Sequence, residues 1–453
     1  NGLLQSDANF SRTYEVEGYS GSTFENNVYL TGLGERSYFD ARLVHFDRQI
    51  ASLTSTSEEE QAIVLPSADY NYVLKNPVAG GELSFDVNAR GITRSETDDR
   101  GSLGDINFAT PGASSDSWRL SAQSEWKRTF IAPGGLVFTP ILHAQADTTG
   151  LNSDLSGSLS STMAADGTTL LADGTYYRSM VTAGLEVRYP ILFSTSSSSH
   201  VLEPIAQVYV RPDEQYAGRL TNEDSQSLVF DASTLFQRDK FSGFDRIEGG
   251  TRANLGIRYT GTFDNGWGLN GTFGQSYHLA GLNSFAQADT FNTGASSGLE
   301  TDRSDFVGAL TISSPSGFAA GVGARFDETS FDVRRAELSA SYTSDVFGVS
   351  ANYAFVDAQP EFGFLTDRHE VTTAGSVRFY DNWSVFGSST YDITNKELDK
   401  YTVGVSYYCD CFLVRASYTE DKDNSGAVAR NYKLFVSLRT LGDFGTGSDE
   451  FGK

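Results

Sequence analysis

Apolar and polar side chains alternate residue by residue in run after run of this chain. In 401–409 (YTVGVSYYC), Tyr401, Val403, Val405 and Tyr407 share one face, and Thr402, Gly404, Ser406 and Tyr408 share the other. In 411–418 (CFLVRASY), Phe412, Val414, Ala416 and Tyr418 oppose Cys411, Leu413, Arg415 and Ser417. In 432–439 (YKLFVSLR), Tyr432, Leu434, Val436 and Leu438 oppose Lys433, Phe435, Ser437 and Arg439. A period of two belongs to strands, and helical periodicity is almost absent, so the expected fold class is all-β. Where charge occurs, at Arg415, Lys433 and Arg439, it falls on the second face. Where the first face meets lipid, the second must line a lumen, because a charge at mid-bilayer on the lipid side is costly. Lys433 and Arg439 are therefore expected to face inward.

The connections carry a second pattern. Tight turns stand at 75–81, 132–135, 263–266, 313–317, 343–346, 380–382 and 409–411, and long polar stretches at 92–116, 148–174, 212–250, 278–303, 357–370 and 420–429. Short and long connections alternate down most of the chain. An antiparallel transmembrane β-barrel of the outer membrane has this organisation, with short periplasmic turns and long external loops. Roughly 19–20 strands of about ten residues each are expected, the length that a tilted membrane strand needs. If the C-terminus is periplasmic, every tight turn lies on that side and the 212–250 loop lies outside.

Composition removes other functions. The net charge of −24 opposes binding to nucleic acid, whose phosphates need Lys and Arg. The acidic runs at 56–61 and 95–105 are expected to be solvated loops. His45, His143, His200, His278 and His369 are scattered without metal-ligand spacing, and the glycine-rich segments lack the strand-to-helix setting of a phosphate loop. No cofactor, metal or catalytic set is expected, and the chain is not expected to be an enzyme. Trp118, Trp126, Trp267 and Trp383 are expected in the interfacial aromatic girdles. The start, NGLLQSDANF, has no basic n-region and no apolar h-region, so any signal peptide is expected to lie outside this sequence.

One block is more specific. In 220–259 stand Asn222-Glu223-Asp224-Ser225, then Leu235-Phe236, then Phe241-Ser242-Gly243-Phe244-Asp245-Arg246, then Gly250 and Arg252. With the preceding EPIAQVYVRP (203–212) and the C-terminal YYCDCFLVRASY and FVSLRTLGDFG, it resembles the LPS-assembly protein LptD family. The family's late cysteines often stand side by side, whereas Asp410 separates Cys409 from Cys411 here. The resemblance implies an outer-membrane barrel of about 26 strands behind a periplasmic jellyroll. The 1–453 chain would then be the barrel domain, lacking the jellyroll and the first strands. It implies insertion of lipopolysaccharide into the outer leaflet through a polar lumen and a lateral strand seam. It implies as partners lipopolysaccharide, outer-membrane lipids, a plug lipoprotein (LptE-like) and a periplasmic bridge protein (LptA-like). The seam would involve the last strand, with Tyr432, Leu434, Val436 and Leu438. A passive porin or general outer-membrane transporter is the alternative, and it accounts equally well for the alternation.

Two readings of residues stay open at this level. Asp245 and Arg246 are expected at the external end, either pairing with each other as a loop staple or lumen cap with Gly243, Gly249 and Gly250 allowing the turn, or touching substrate. Cys409 and Cys411 could form a strained mutual bond, remain free, hold a metal weakly, or pair with a cysteine in a periplasmic domain outside this chain, as the resemblance implies.

Overall fold

The computed structural model describes residues 23–48, 59–97, 112, 114–152, 171, 173–289, 291–422 and 428–438, and the backbone of 442–445. They form one sheet of twenty-two strands. In chain order these are β1 Thr23–Leu33, β2 Ser37–Arg48, β3 Ile63–Val73, β4 Glu82–Arg94, β5 Ser115–Lys127, β6 Phe130–Ile131, β7 Val137–Asn152 and β8 Gly174–Arg188. Then come β9 Ile191–Ser194, β10 Ser198–Val210, β11 Thr251–Phe263, β12 Gly268–Ala280, β13 Phe306–Ser313, β14 Phe318–Phe326 and β15 Val333–Thr343. The last are β16 Phe347–Val356, β17 Arg368–Tyr380, β18 Trp383–Asp392, β19 Glu397–Tyr408, β20 Phe412–Lys422, β21 Val428–Leu438 and β22 Gly442–Gly445.

Each strand pairs antiparallel with its neighbours in sequence, so the whole sheet is a meander. The short β6 continues β5 along the edge of β7, and β9 continues β8 along β10. Counting each broken strand once leaves twenty in line, within the expected range. The second break falls at Tyr189-Pro190, where proline cannot donate to a ladder. No ladder joins β1 to β21 or β22 among the described residues.

The two faces have opposite chemistry, and the apolar one is outermost. On β5, Trp118 and Leu120 are about half exposed while Arg119 and Ser121 between them are buried. On β8, Tyr177 and Val181 are exposed while Arg178 and Thr182 are buried. In water this arrangement would be inside out. A strand period of two with apolar outward and polar inward is what a lipid-embedded wall requires. No helix among the described residues is long and apolar enough to cross a membrane, which leaves crossing by strands untouched.

All the tight turns expected from sequence lie at one end of the sheet, joined there by 34–36 and 195–197, which carry weaker turn chemistry. The long connections lie at the other end. Two connections at that end are short, 327–332 and 393–396, so the alternation of loop length is incomplete. The buried hydrophobic core lies between connections, not between strands. Phe230, Leu235, Phe241, Phe285 and Leu299 cluster with Val307 of β13, and Leu228 and Phe236 pack against them.

Candidate functional site

Residues 211–250, between β10 and β11, and 281–305, between β12 and β13, fold together against the inner face of the sheet and form a plug. Their apolar side chains explain why they do not stay in solvent. Burying one Phe or Leu is worth about 1.5–3 kcal/mol, and Phe241 meets Phe285 at 4.6 Å between ring centroids. A 3-10 turn at Ser284–Ala286, capped by the Asn283 side chain, carries Phe285 into this core.

Two aspartates interlock the plug. The Asp224 carboxylate accepts from the amides of Phe244 (3.1 Å) and Asp245 (3.0 Å). Asp245 returns the arrangement, accepting from the amides of Glu223 (2.7 Å) and Asp224 (3.1 Å). Guanidiniums from the wall then grip both acids. Arg90 of β4 lies 3.0 Å from each carboxylate. Arg119 of β5 donates to Asp224 at 2.7 Å and also to Asp245. Arg178 of β8, itself held by Asp147 of β7 at 2.6 Å, donates to the carbonyls of Asp245 (2.6 Å) and Phe244 (2.9 Å). Arg94 forks onto Glu223 at 2.7 and 2.9 Å.

A second set of bonds holds the plug to itself. Arg246 is bidentate to Glu214 (2.9 and 3.1 Å), reaches Asp289 at 2.7 Å and donates to the Ser284 carbonyl at 2.7 Å. One buried guanidinium thus joins both loops. Asn222 adds to this, accepting from the Ser225 amide at 2.9 Å and donating to Asp289 at 3.0 Å. Ser225 donates to the Ser242 carbonyl and accepts from the Arg246 amide. At the plug's edge, Glu248 lies between Arg211 (3.2 Å) and Arg252 of β11 (3.0 Å).

The six motif residues Asn222, Asp224, Ser225, Gly243, Asp245 and Arg246 therefore come together, but not as the sequence suggested. Asp245 does not pair with Arg246. Adjacent residues of an extended turn point apart, so Asp245 goes to the wall and Arg246 to the second loop. Gly243 has φ of 66°, and a Cβ there would stand about 2.5 Å from the Asp224 carboxyl. Gly243→Ala is expected to loosen the plug by about 1–3 kcal/mol, from backbone strain and displacement of Asp224. Faster amide exchange confined to 222–246 is the readout.

Electrostatics inside the plug follow from burial against pairing. Burial alone would raise Asp245, but Arg119 and Arg90 hold it well below the usual carboxylate range. Burial would likewise raise Glu248, yet Arg211, Lys240 and Arg252 hold it at about 2. A carboxylate lowered in the fold contributes stability above its unfolded pKa and loses it as pH falls. The plug is expected to keep full protection at pH 5 and to lose it as pH drops from about 4.5 toward about 2. Lys240 is buried and lowered to about 8, so the sign reverses, and the plug gains stability as pH rises from about 8 toward 10.5. Hydrogen exchange of 238–250 across these windows checks both.

The remaining sequence expectations lie away from the plug. Cys409 and Cys411 sit at the tight turn between β19 and β20, half-buried and exposed, and are not bonded to each other. Tyr432 and Leu434 are exposed on the outer face of β21, while Lys433 shares the opposite parity with the buried Phe435. Val436 and Leu438 continue the outer parity and are half-buried. Arg439 lies outside the described residues. β21 is not the last strand, since the short β22 pairs along it through four positions. Gly442–Gly445 is too short and glycine-rich to show alternation. No group of metal-ligating side chains occurs among the described residues. Sequence reasoning missed Arg90, Arg94, Arg119 and Arg178. Arg119 carried a signal, an arginine between two outward apolar residues in mid-strand, SWRLS (117–121), whereas Arg94, between Thr93 and Ser95 at the end of β4, and Arg178, between Tyr177 and Ser179, did not.

Known proteins are similar to this chain. The family described as "LPS transport system D" (LptD) matches residues 3–364. The LPS-assembly protein LptD of Vibrio cholerae is 28% identical over 238 residues, covering 49% of this chain and 29% of that protein. That of Escherichia coli K12 is 25% identical over 282 residues, covering 56% and 34%. That of Saccharophagus degradans is 24% identical over 209 residues, covering 44% and 23%. The chain thus spans about a quarter to a third of the length of these curated relatives. Among solved structures, a ferric enterobactin receptor mutant from Pseudomonas aeruginosa aligns with a TM-score of 0.43 and 10% identity, covering 93% of this chain and 72% of that one.

Proposed function

The chain belongs to the LPS transport system D (LptD) family, and from that premise we propose that it inserts lipopolysaccharide into the outer leaflet through a polar lumen and a lateral strand seam. It is an all-β protein of the Gram-negative outer membrane. The observation that carries the proposal is the family match over residues 3–364. The wall supports it. The substrate has acyl chains that need lipid and a sugar head that needs water. A sheet apolar outside and polar inside offers both in adjacent residues, as at Leu434 and Lys433. Tight turns lie toward the periplasm in this reading, so the plug sits at the outer mouth. The seam in this reading involves β21, the strand that carries Tyr432, Leu434, Val436 and Leu438.

Cys409 and Cys411 would face the oxidising periplasm, and at least one pairs with a cysteine in a periplasmic domain beyond this chain. A plug lipoprotein and a periplasmic bridge protein complete the partners. A passive porin is less favoured, because a plug tied to the wall by buried charge pairs opposes steady ion flow. Depleting the protein in growing cells tests the function. New lipopolysaccharide should then become inaccessible to a surface label. Unchanged surface labelling after depletion would overturn the reading.

A further inference from the structure

Along β4, β5 and β11 the plug is tied to the wall by paired charges, and Arg178 of β8 and Arg325 of β14 hold its carbonyls, but beside β15 and β16 it stands off. A cleft of about 370 Å³ separates them there, within the range of about 300–1,000 Å³ usual for small-ligand sites. Gln226 and Phe291 line it from the plug, and Arg325, Arg335, Gln359 and Phe362 from the wall and the 357–367 connection. The lining holds two guanidiniums and no carboxylate, in a chain whose net charge is −24. Arg325 is fixed by the carbonyls of Ser297 (2.5 Å) and Ser296 (2.8 Å) and by Asp305 at 3.2 Å. Among the described residues Arg335 pairs, at 2.6 Å, with the largely exposed Glu337, an attachment of little net worth that a ligand can replace. The Gln359 Oε1 accepts from Arg368 at 2.7 Å, so the amide nitrogen is the side that can donate.

We propose that this cleft binds a negatively charged saccharide unit. A sugar ring presents an apolar C–H face that packs on aromatic rings and a rim of hydroxyls that needs amide partners. An acidic or phosphate substituent matches the planar fork of an arginine. The cleft brings these three kinds of group together at the mouth where the long connections lie. The proposal rests on the lipopolysaccharide reading only for the source of the sugar.

The test titrates the purified full chain in detergent with phosphorylated core oligosaccharide freed of lipid A, by calorimetry. Saturable binding is expected, weakened about tenfold or more by Arg335→Gln, by Phe362→Ala and by removal of the phosphates. Gln359→Ala, on the connection outside the strand ladders, supplies a further variant. Heat-modifiable migration checks the folding of each. Absence of saturable binding, or binding unchanged in all three variants, overturns the site. Loss of binding with depletion still stripping surface lipopolysaccharide sinks this site and spares the function. Binding here with surface lipopolysaccharide unaffected by depletion does the reverse.

Discussion

Replacing Asp245 by alanine is expected to release the plug from the wall. The carboxylate is the shared acceptor for Arg90, Arg119 and the amides of Glu223 and Asp224. Its loss leaves two guanidiniums crowded in a buried site with Asp224 alone between them. Breaking a buried pair from one side costs about 3–5 kcal/mol, enough to make local opening of the plug frequent while the strand ladders hold. Asp245→Asn keeps an acceptor without the charge and should fall between. Single-channel conductance in planar bilayers and protease cleavage within 222–246 measure it. Wild type should conduct little and resist cleavage, and Asp245→Ala should do neither. Equal conductance and equal protection would mean that the wall arginines do not hold the plug.

Arg246→Ala should have an effect of the same size with the opposite response to acid. Removing this guanidinium strands Glu214 and Asp289, both buried, and unlinks the two loops. The cost is again about 3–5 kcal/mol. In wild type, burial would raise Asp289, but Arg246 overcomes it and holds the carboxyl below its ordinary value. Its stabilisation is therefore complete at pH 7 and pH 5 alike and fades only at lower pH. In the variant, burial no longer opposed by the guanidinium raises the Asp289 carboxyl above its unfolded value. Protons then bind the folded plug more tightly than the unfolded one, so acidification from pH 7 to pH 5 should partly restore protection. Proteolysis rates at the two values decide it. A variant that loosens further at pH 5 would show that Asp289 does not depend on Arg246 for its charge.

What sequence reveals here is what is local. The period of two in 401–418 and 432–438 reports which side chains face lipid, because each strand residue meets only one of two environments. Turns such as 132–135 and 409–411 are equally local, since glycine and short polar residues set them within a few positions. The plug depends on distant pairing. Arg119 and Asp245 are 126 residues apart and Arg90 and Asp245 are 155 apart, so nothing near Asp245 names its partners. Proximity along the chain suggested Arg246 instead, and alternation of side-chain direction makes that pairing geometrically poor. The short β22 escaped notice for a different reason, because four residues rich in glycine carry no period.

The central claim is that lipopolysaccharide passes along the inner face of this wall. The most direct measurement places a photo-crosslinking amino acid at Lys433, on the inward parity of β21, and separately at Leu434, exposed on its outer face. In living cells, position 433 should capture lipopolysaccharide only while it is being made, and the adduct should vanish when synthesis is stopped. Position 434 should capture membrane lipid whether or not synthesis continues. An absence of lipopolysaccharide adduct at position 433 during active synthesis, with position 434 crosslinking normally, would contradict the account.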